Sequence, residues 1–143
     1  MITPSEEKGD SEARAFNFMR PTWDEYFMMA AKLIAVMATC PKLKVGNVVV
    51  KNRRIVASGF NGAPPGQPHC TEIGCLIFED EGTSCRRVVH SEHNAVLQDS
   101  GNIGGGTLYT PYLPCVDCMK AIISAKISEK QQVKIFGAFC GKS

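Results

Sequence analysis

The chain has 143 residues, 44% of them hydrophobic and 21% charged, with 16 basic and 14 acidic side chains for a net charge of +2. This is the composition of one globular domain, long enough to bury roughly two-thirds of its unfolded surface without disulfides. It excludes a collagen-like or wholly disordered chain and a membrane span of ~20 apolar residues, and its balanced charge argues against a dedicated nucleic-acid coat.

Residues 1–20 read as a flexible polar arm, because Glu6, Glu7, Lys8, Asp10, Glu12 and Arg14 offer no core face. No basic-then-apolar leader opens the chain, so a cytoplasmic location is expected. A single domain then runs over 21–143. Thr22-Trp-Asp-Glu25 has the capping-box form, a hydroxyl for the third amide and a glutamate reaching back. The helix it starts carries Trp23, Phe27, Ala30, Ala31, Ile34 and Ala38 on one face and closes before Pro41. The β-branched run Val45–Val50, the polar turn Lys51-Asn-Arg53 and the return Arg54–Ser58 predict an antiparallel hairpin.

Residues 59–89 form a long irregular connection, which in a compact domain is functional or tied down. It holds His69, Cys70, Cys75 and Cys85. A short helix is expected over His90–Gln98, a turn over 100–106 and a strand over Thr107–Thr110. Pro114 reads as the first-turn proline of a helix over Cys115–Lys126. A last strand covers Val133–Phe139. The strand–helix–strand order predicts parallel pairing of the later strands. The fold class is therefore α/β, a three-layer α/β/α sandwich whose mixed central sheet has helices on both faces.

There are seven cysteines. An odd number without a leader points to metal or catalysis in a reducing compartment rather than a disulfide framework. The strongest motif is His90-Ser-Glu92 followed by Pro114-Cys-Val-Asp-Cys118. Cys115 and Cys118 stand three apart at a helix start, so their sulfurs share one face, and the helix amino terminus favours thiolate. With His90 they make three zinc ligands and leave the fourth tetrahedral position to water, the catalytic pattern. Two thiolates and a neutral histidine cancel the metal charge, so that water is less acidic than one held by three histidines. A carboxylate must take its proton, and Glu92 stands at the right spacing. Cys-x-x-Cys alone is shared by redox and structural zinc sites; its pairing with His-x-Glu is what separates this motif from them, and the pair is the signature of zinc-dependent base deaminases.

On these residues the sequence resembles the deoxycytidylate (dCMP) deaminases of the cytidine deaminase superfamily, over about residues 21–136. The likeness extends to Trp23-Asp-Glu-Tyr-Phe-Met28, Thr39-Cys-Pro-Lys42, Val45-Gly46, Gly59-Phe-Asn-Gly62, His69-Cys70, Cys75, Cys85 and Asn94-Ala95. It implies a cytidine-deaminase-like fold and zinc-dependent hydrolysis of dCMP to dUMP. It also implies a homohexamer activated by dCTP and inhibited by dTTP, with Mg2+ beside the triphosphate, and small nucleotides as partners rather than a nucleic-acid polymer or a membrane.

By position, the resemblance gives Asn61 the deoxyribose. Lys42 stands where the family usually has an arginine for the substrate phosphate, keeping the charge without the fork. Ser91 replaces an alanine whose amide touches the base. Asn94 and the Gly62 turn fall where relatives form the effector pocket. Asn47, where a small residue is usual, lies close by. Arg87, beside Arg86, is either a phosphate binder or half of a solvated pair. Relatives continue past the equivalent of Phe139 and supply a substrate tyrosine from there; Tyr112 either compensates or is a half-buried strand tyrosine. Met37 and Ala38 replace the usual arginine and serine. Cys40, Cys70, Cys75 and Cys85 match positions where the family clusters sulfur or histidine. They either close a structural zinc site that pins the loop to the first helix, with His69 as a substitute ligand, or remain free thiols. Two other readings share the zinc motif. An RNA adenosine deaminase wants a broader basic surface and lacks the cysteine-rich loop, and a non-catalytic nucleotide sensor has no use for Glu92.

Overall fold

Chain order in the computed structural model, which describes residues 19–78, 82, 84–98, 101–127 and 133–135, begins with helix α1 (Trp23–Ile34) and a 3-10 turn (Ala35–Met37). Strands β1 (Gly46–Lys51) and β2 (Arg54–Phe60) follow, then the one-turn helix α2 (Cys70–Ile73) and helix α3 (Ser91–Leu97). Strand β3 (Thr107–Thr110), helix α4 (Val116–Ser124) and strand β4 (Val133–Ile135) complete it. Most of the expected arm, and the expected strand beyond Ile135, lie outside the described residues.

The strands form one four-stranded sheet in the order β2-β1-β3-β4. β1 is antiparallel to β2 and β3, whereas β3 and β4 run parallel around α4. Side chains alternate along β1, and this alternation sorts the core. Val48 and Val50 pack with Phe27, Met28 and Ala31 of α1 and with Tyr109. Val49 points the other way, to Ala95 of α3, Ile122 of α4 and Leu108. Helices therefore cover both faces, as the element order predicts. Each such aliphatic side chain stabilises the fold by about 1.5–3 kcal/mol when fully buried.

The capping box at Thr22 is formed in full. Glu25 N–H donates to Thr22 Oγ1 at 3.2 Å, and Thr22 N–H donates to Glu25 Oε2 at 2.7 Å. The buried stripe differs from the expected one. Met28 is in the core, while Trp23 stays 42% exposed. Trp23 holds the first helical position and lies on the ring of Phe27 at 5.7 Å instead of on the sheet, with the Arg53 guanidinium 5.2 Å above it. The helix also stops sooner than expected, and Ala38 is already extended. A side chain at Gly46 would meet Ala31 O and Ala35 N at 2.4 Å, so the start of β1 presses directly on the helix end.

Asp24 ties α1 to the far side of the sheet. Tyr109 donates its hydroxyl to Asp24 Oδ1 at 2.6 Å, and Lys134 Nζ lies 2.8 and 2.7 Å from the two carboxylate oxygens. Lys134 first, and then Tyr109, hold the Asp24 carboxyl below its ordinary value. A carboxyl lowered on folding adds stability above its unfolded pKa of about 3.9, and that stability is lost as pH falls through the folded value. The ion-pair side chains are 38% and 45% exposed, which screens them. Asp24→Asn is expected to cost about 1 kcal/mol, or roughly 3 °C in thermal midpoint, at pH 7. The gap between variant and parent should close below pH 4 in a melting series. Equal midpoints at pH 7 would show that the clasp adds nothing.

Candidate active site

Two helix starts and one glycine position the site. α3 begins at its cap residue His90 and α4 at its cap residue Cys115, whose sulfur accepts the Cys118 amide at 3.5 Å. Pro114 thus lies just outside the helix, not in its first turn, because Cys115 takes the capping position. α3 lies against β2 at Gly59, where a Cβ would come within 2.0 Å of Ser91 O and 2.6 Å of Ala95 N. Asn94 Nδ2 donates to Phe60 O at 2.6 Å and holds the same contact. Upstream, Gly62 and Val89 pair as an isolated antiparallel bridge, which fixes the chain just before His90.

His90 Nδ1 is 3.5 Å from Cys115 Sγ and 3.4 Å from Cys118 Sγ. The three donor atoms lie within 4.8 Å of one another. A tetrahedral zinc with Zn–S near 2.3 Å and Zn–N near 2.0–2.1 Å places its donors about 3.5–3.8 Å apart, so the triplet fits that ion. Glu92 is only 6% exposed. Its Oε2 accepts from Ser91 Oγ at 3.2 Å and sits 3.6 Å from Cys118 Sγ. Two effects oppose the helix-start preference for thiolate at Cys118. Burial, and then the Glu92 charge, push its thiol up. A cation among the three donors offsets both effects.

Sequence reasoning missed His93, whose Nδ1 is 3.5 Å from Cys118 Sγ. The available signal was its position three residues after His90, which puts both rings on one side of the helix.

Cys70, Cys75 and Cys85 form a second group with sulfurs within 4.8 Å, and Cys70 Sγ and Cys85 Sγ are 3.7 Å apart. That spacing also suits a zinc edge. Burial raises the Cys85 thiol, but hydrogen bonds from the backbone N–H groups of Arg87, Leu76 and Val88 and from Cys70 together lower it overall. Burial, and then Cys85, push the Cys70 thiol up to about 11. Cys40 is buried but stands outside this tight triplet. His69 Nδ1 is buried without a hydrogen-bond partner, so it is a second possible fourth donor beside Cys40.

The remaining expected site residues divide. Asn61 is buried, its Oδ1 accepting from Val45 N at 2.8 Å and its Nδ2 donating to Leu43 O at 2.7 Å. Each end of that amide keeps capacity for one more hydrogen bond. Lys42 is exposed on the segment Asn61 holds, Ser91 is buried in the site, and Tyr112 is half-buried. Asn47 pairs with Gly59 across the strands and is fully buried, with both side-chain polar atoms unpartnered. Asn47, Gly62 and Asn94 therefore gather around residues 59–62. Arg87 does not join them; its Nε donates to Gly74 O at 3.3 Å, in the cysteine-rich loop.

The buried Glu92 decides the class. A purely structural zinc leaves such a carboxylate without a task, whereas an acid group against a His/Cys/Cys triplet is the arrangement of the zinc-dependent base deaminases. The wider sequence agrees. Residues 21–133 match the model of the cytidine and deoxycytidylate deaminase zinc-binding region, and the chain belongs to that family. It is 40% identical over 111 residues to ComE operon protein 2 of Bacillus subtilis, covering 76% of this chain and 57% of that one. It is 38% identical over 118 residues to the deoxycytidylate deaminase of Mycobacterium phage D29, covering 76% and 91%. Among solved structures, the dCMP deaminase of cyanophage S-TIM5 in complex with dCMP and dUMP is 36% identical with a TM-score of 0.63, covering 76% of this chain and 79% of that one. The chain spans about half the length of the curated relatives it matches first. Among the described residues no helix is long and apolar enough to cross a membrane.

Proposed function

We propose that the chain catalyses zinc-dependent hydrolytic deamination of dCMP to dUMP. The observation that carries this reading is the buried Glu92 carboxylate, 3.6 Å from Cys118 Sγ at the edge of the donor triplet. His90 Nδ1, Cys115 Sγ and Cys118 Sγ would hold the zinc, which when bound supplies an acidified water as nucleophile. Glu92 would take one proton from the attacking water and pass it to N3 of cytosine, then take the second from the new C4 hydroxyl and pass it to the amino group, which leaves as ammonia. The Ser91 amide meets the base, Asn61 the deoxyribose and Lys42 the phosphate, with Tyr112 beside them. The dCMP- and dUMP-bound cyanophage relative supports the choice of nucleotide.

Regulation and assembly follow the same family reading. dCTP activates and dTTP inhibits, each with Mg2+, through Asn47, Gly62 and Asn94, with Arg87 the least favoured member. The adjacency of Asn61 and Gly62 couples sugar contact to effector. The homohexamer of that reading needs apolar contact surface, which the exposed Tyr26, Met29 and Leu33 of α1 and Val36 of the 3-10 turn offer. Ultraviolet absorbance on mixing with dCMP tests the activity, since cytosine and uracil differ. Rates across dCMP concentration should become more cooperative with dTTP and less so with dCTP. An unchanged spectrum from zinc-loaded protein would overturn the activity, and superimposable curves would overturn the regulation.

A second zinc belongs to Cys70, Cys75 and Cys85, with Cys40 or His69 as fourth donor. Metal analysis should then return two zinc ions per chain. Cys85→Ser should release one, leave His90, Cys115 and Cys118 occupied, and lower the thermal midpoint. One zinc per chain in the parent protein would rule this site out.

A further inference from the structure

The reading above gives His93 no task, yet its ring nitrogen touches a proposed ligand. The contact, 3.5 Å from Nδ1 to Cys118 Sγ, is within hydrogen-bond range for sulfur. His93 does not belong to the set of donors that lie within 4.8 Å of one another. It therefore reaches one sulfur without joining the triplet. We propose that His93 is a positioning residue for the metal centre, its Nδ1–H donating to the Cys118 thiolate and drawing charge from it. This rests on the zinc reading.

The charge arrangement gives the bond its purpose. Two thiolates and a neutral histidine already neutralise the ion, so further electron density on sulfur weakens its pull on water. Glu92 Oε2, 3.6 Å from the same sulfur, adds negative charge there. A donor on the opposite account must offset it, and His93 is the residue of α3 that offers one. Outer-shell bonds of this kind also hold a ligand in register, and losing one typically costs 10–100-fold in metal affinity.

The test uses the full chain loaded with cobalt(II), whose sulfur-to-metal charge-transfer band reports the energy of the thiolate. The Cys70, Cys75 and Cys85 sulfurs contribute equally to parent and variant and cancel in the difference spectrum. His93→Phe should move the band to lower energy, and chelator competition should show zinc held 10–100-fold more weakly at the catalytic site. His93→Gln, which keeps an N–H donor, should recover part of both. A band and affinity unchanged in His93→Phe would overturn the proposal. So would loss of the metal from His93→Phe but not from His90→Phe, since His93 would then be a ligand. Failure of His93→Phe to fold leaves the decision to His93→Gln, where values equal to those of His93→Ala would overturn it. A parent band that Cys115→Ser leaves unchanged would instead show that His90, Cys115 and Cys118 take no metal, and would defeat the zinc reading.

Discussion

Glu92→Gln should lose about three to four orders of magnitude in kcat toward dCMP while keeping its catalytic zinc. General acid–base transfer by a placed side chain supplies about 10²–10⁴-fold, and here one carboxylate serves both the incoming and the departing proton. The amide is isosteric and cannot accept a proton. Its oxygen can still take the Ser91 hydroxyl, now 3.2 Å from Glu92 Oε2, so the side chain should keep its place. The substitution also removes a negative charge that raises the Cys118 thiol, so metal binding should not weaken. KM should change little, because the loss falls on the transition state. Zinc analysis and steady-state rates on one preparation provide the check. A zinc-loaded variant retaining a tenth of the parental rate would show that another group carries the proton.

Among the described glycines, Gly59→Ala should be the most damaging substitution. The added Cβ would lie 2.0 Å from Ser91 O and 2.6 Å from Ala95 N, both backbone atoms of α3 that no rotamer change can move. The helix must lift from β2, and with it His90, Glu92 and the Asn94 bond to Phe60. Overpacking of this kind costs about 3 kcal/mol or more, which is roughly 10 °C in a domain of this size. Zinc content should fall as well, because the triplet needs His90 against α4. Gly66→Ala is the matched control. It has open space around it, and its positive φ of 79° leaves only backbone strain, about 1 kcal/mol. Similar melting curves for the two variants would show that the β2–α3 contact does not limit stability.

What could be read from the sequence was the local chemistry. The capping box at Thr22, the hairpin around Asn52 and the His-x-Glu with Cys-x-x-Cys pairing each state a need that neighbouring residues meet. The layered order followed from the rule that parallel strands need a crossover. Features set by how elements approach one another were not legible. A helical wheel cannot tell which flank of a stripe meets the sheet, so Trp23 and Met28 exchanged places. Nothing in the sequence says that the Asn94 side chain also ties α3 to β2 by donating to Phe60 O at 2.6 Å. Arg87 looks free until the loop folds Gly74 beneath it. The separation of Cys40 from the other loop sulfurs, and the reach of His93 to Cys118, depend on angles between helices that spacing does not encode.

The Asp24 clasp has a bearing on how the chain is made. Its two charged members are 110 positions apart in sequence. A ribosome releases the N-terminal part first, at about 5–20 residues per second, so α1 emerges several seconds before the lysine that fastens it. During that interval the β1–β2 hairpin is the sheet available for α1 to pack on, and Asp24 waits without its countercharge. Contacts this distant along the chain form late and slow the search. Strand β4 therefore acts as a latch on α1, and shortening the chain ahead of Lys134 leaves Asp24 with the Tyr109 hydroxyl but without that countercharge.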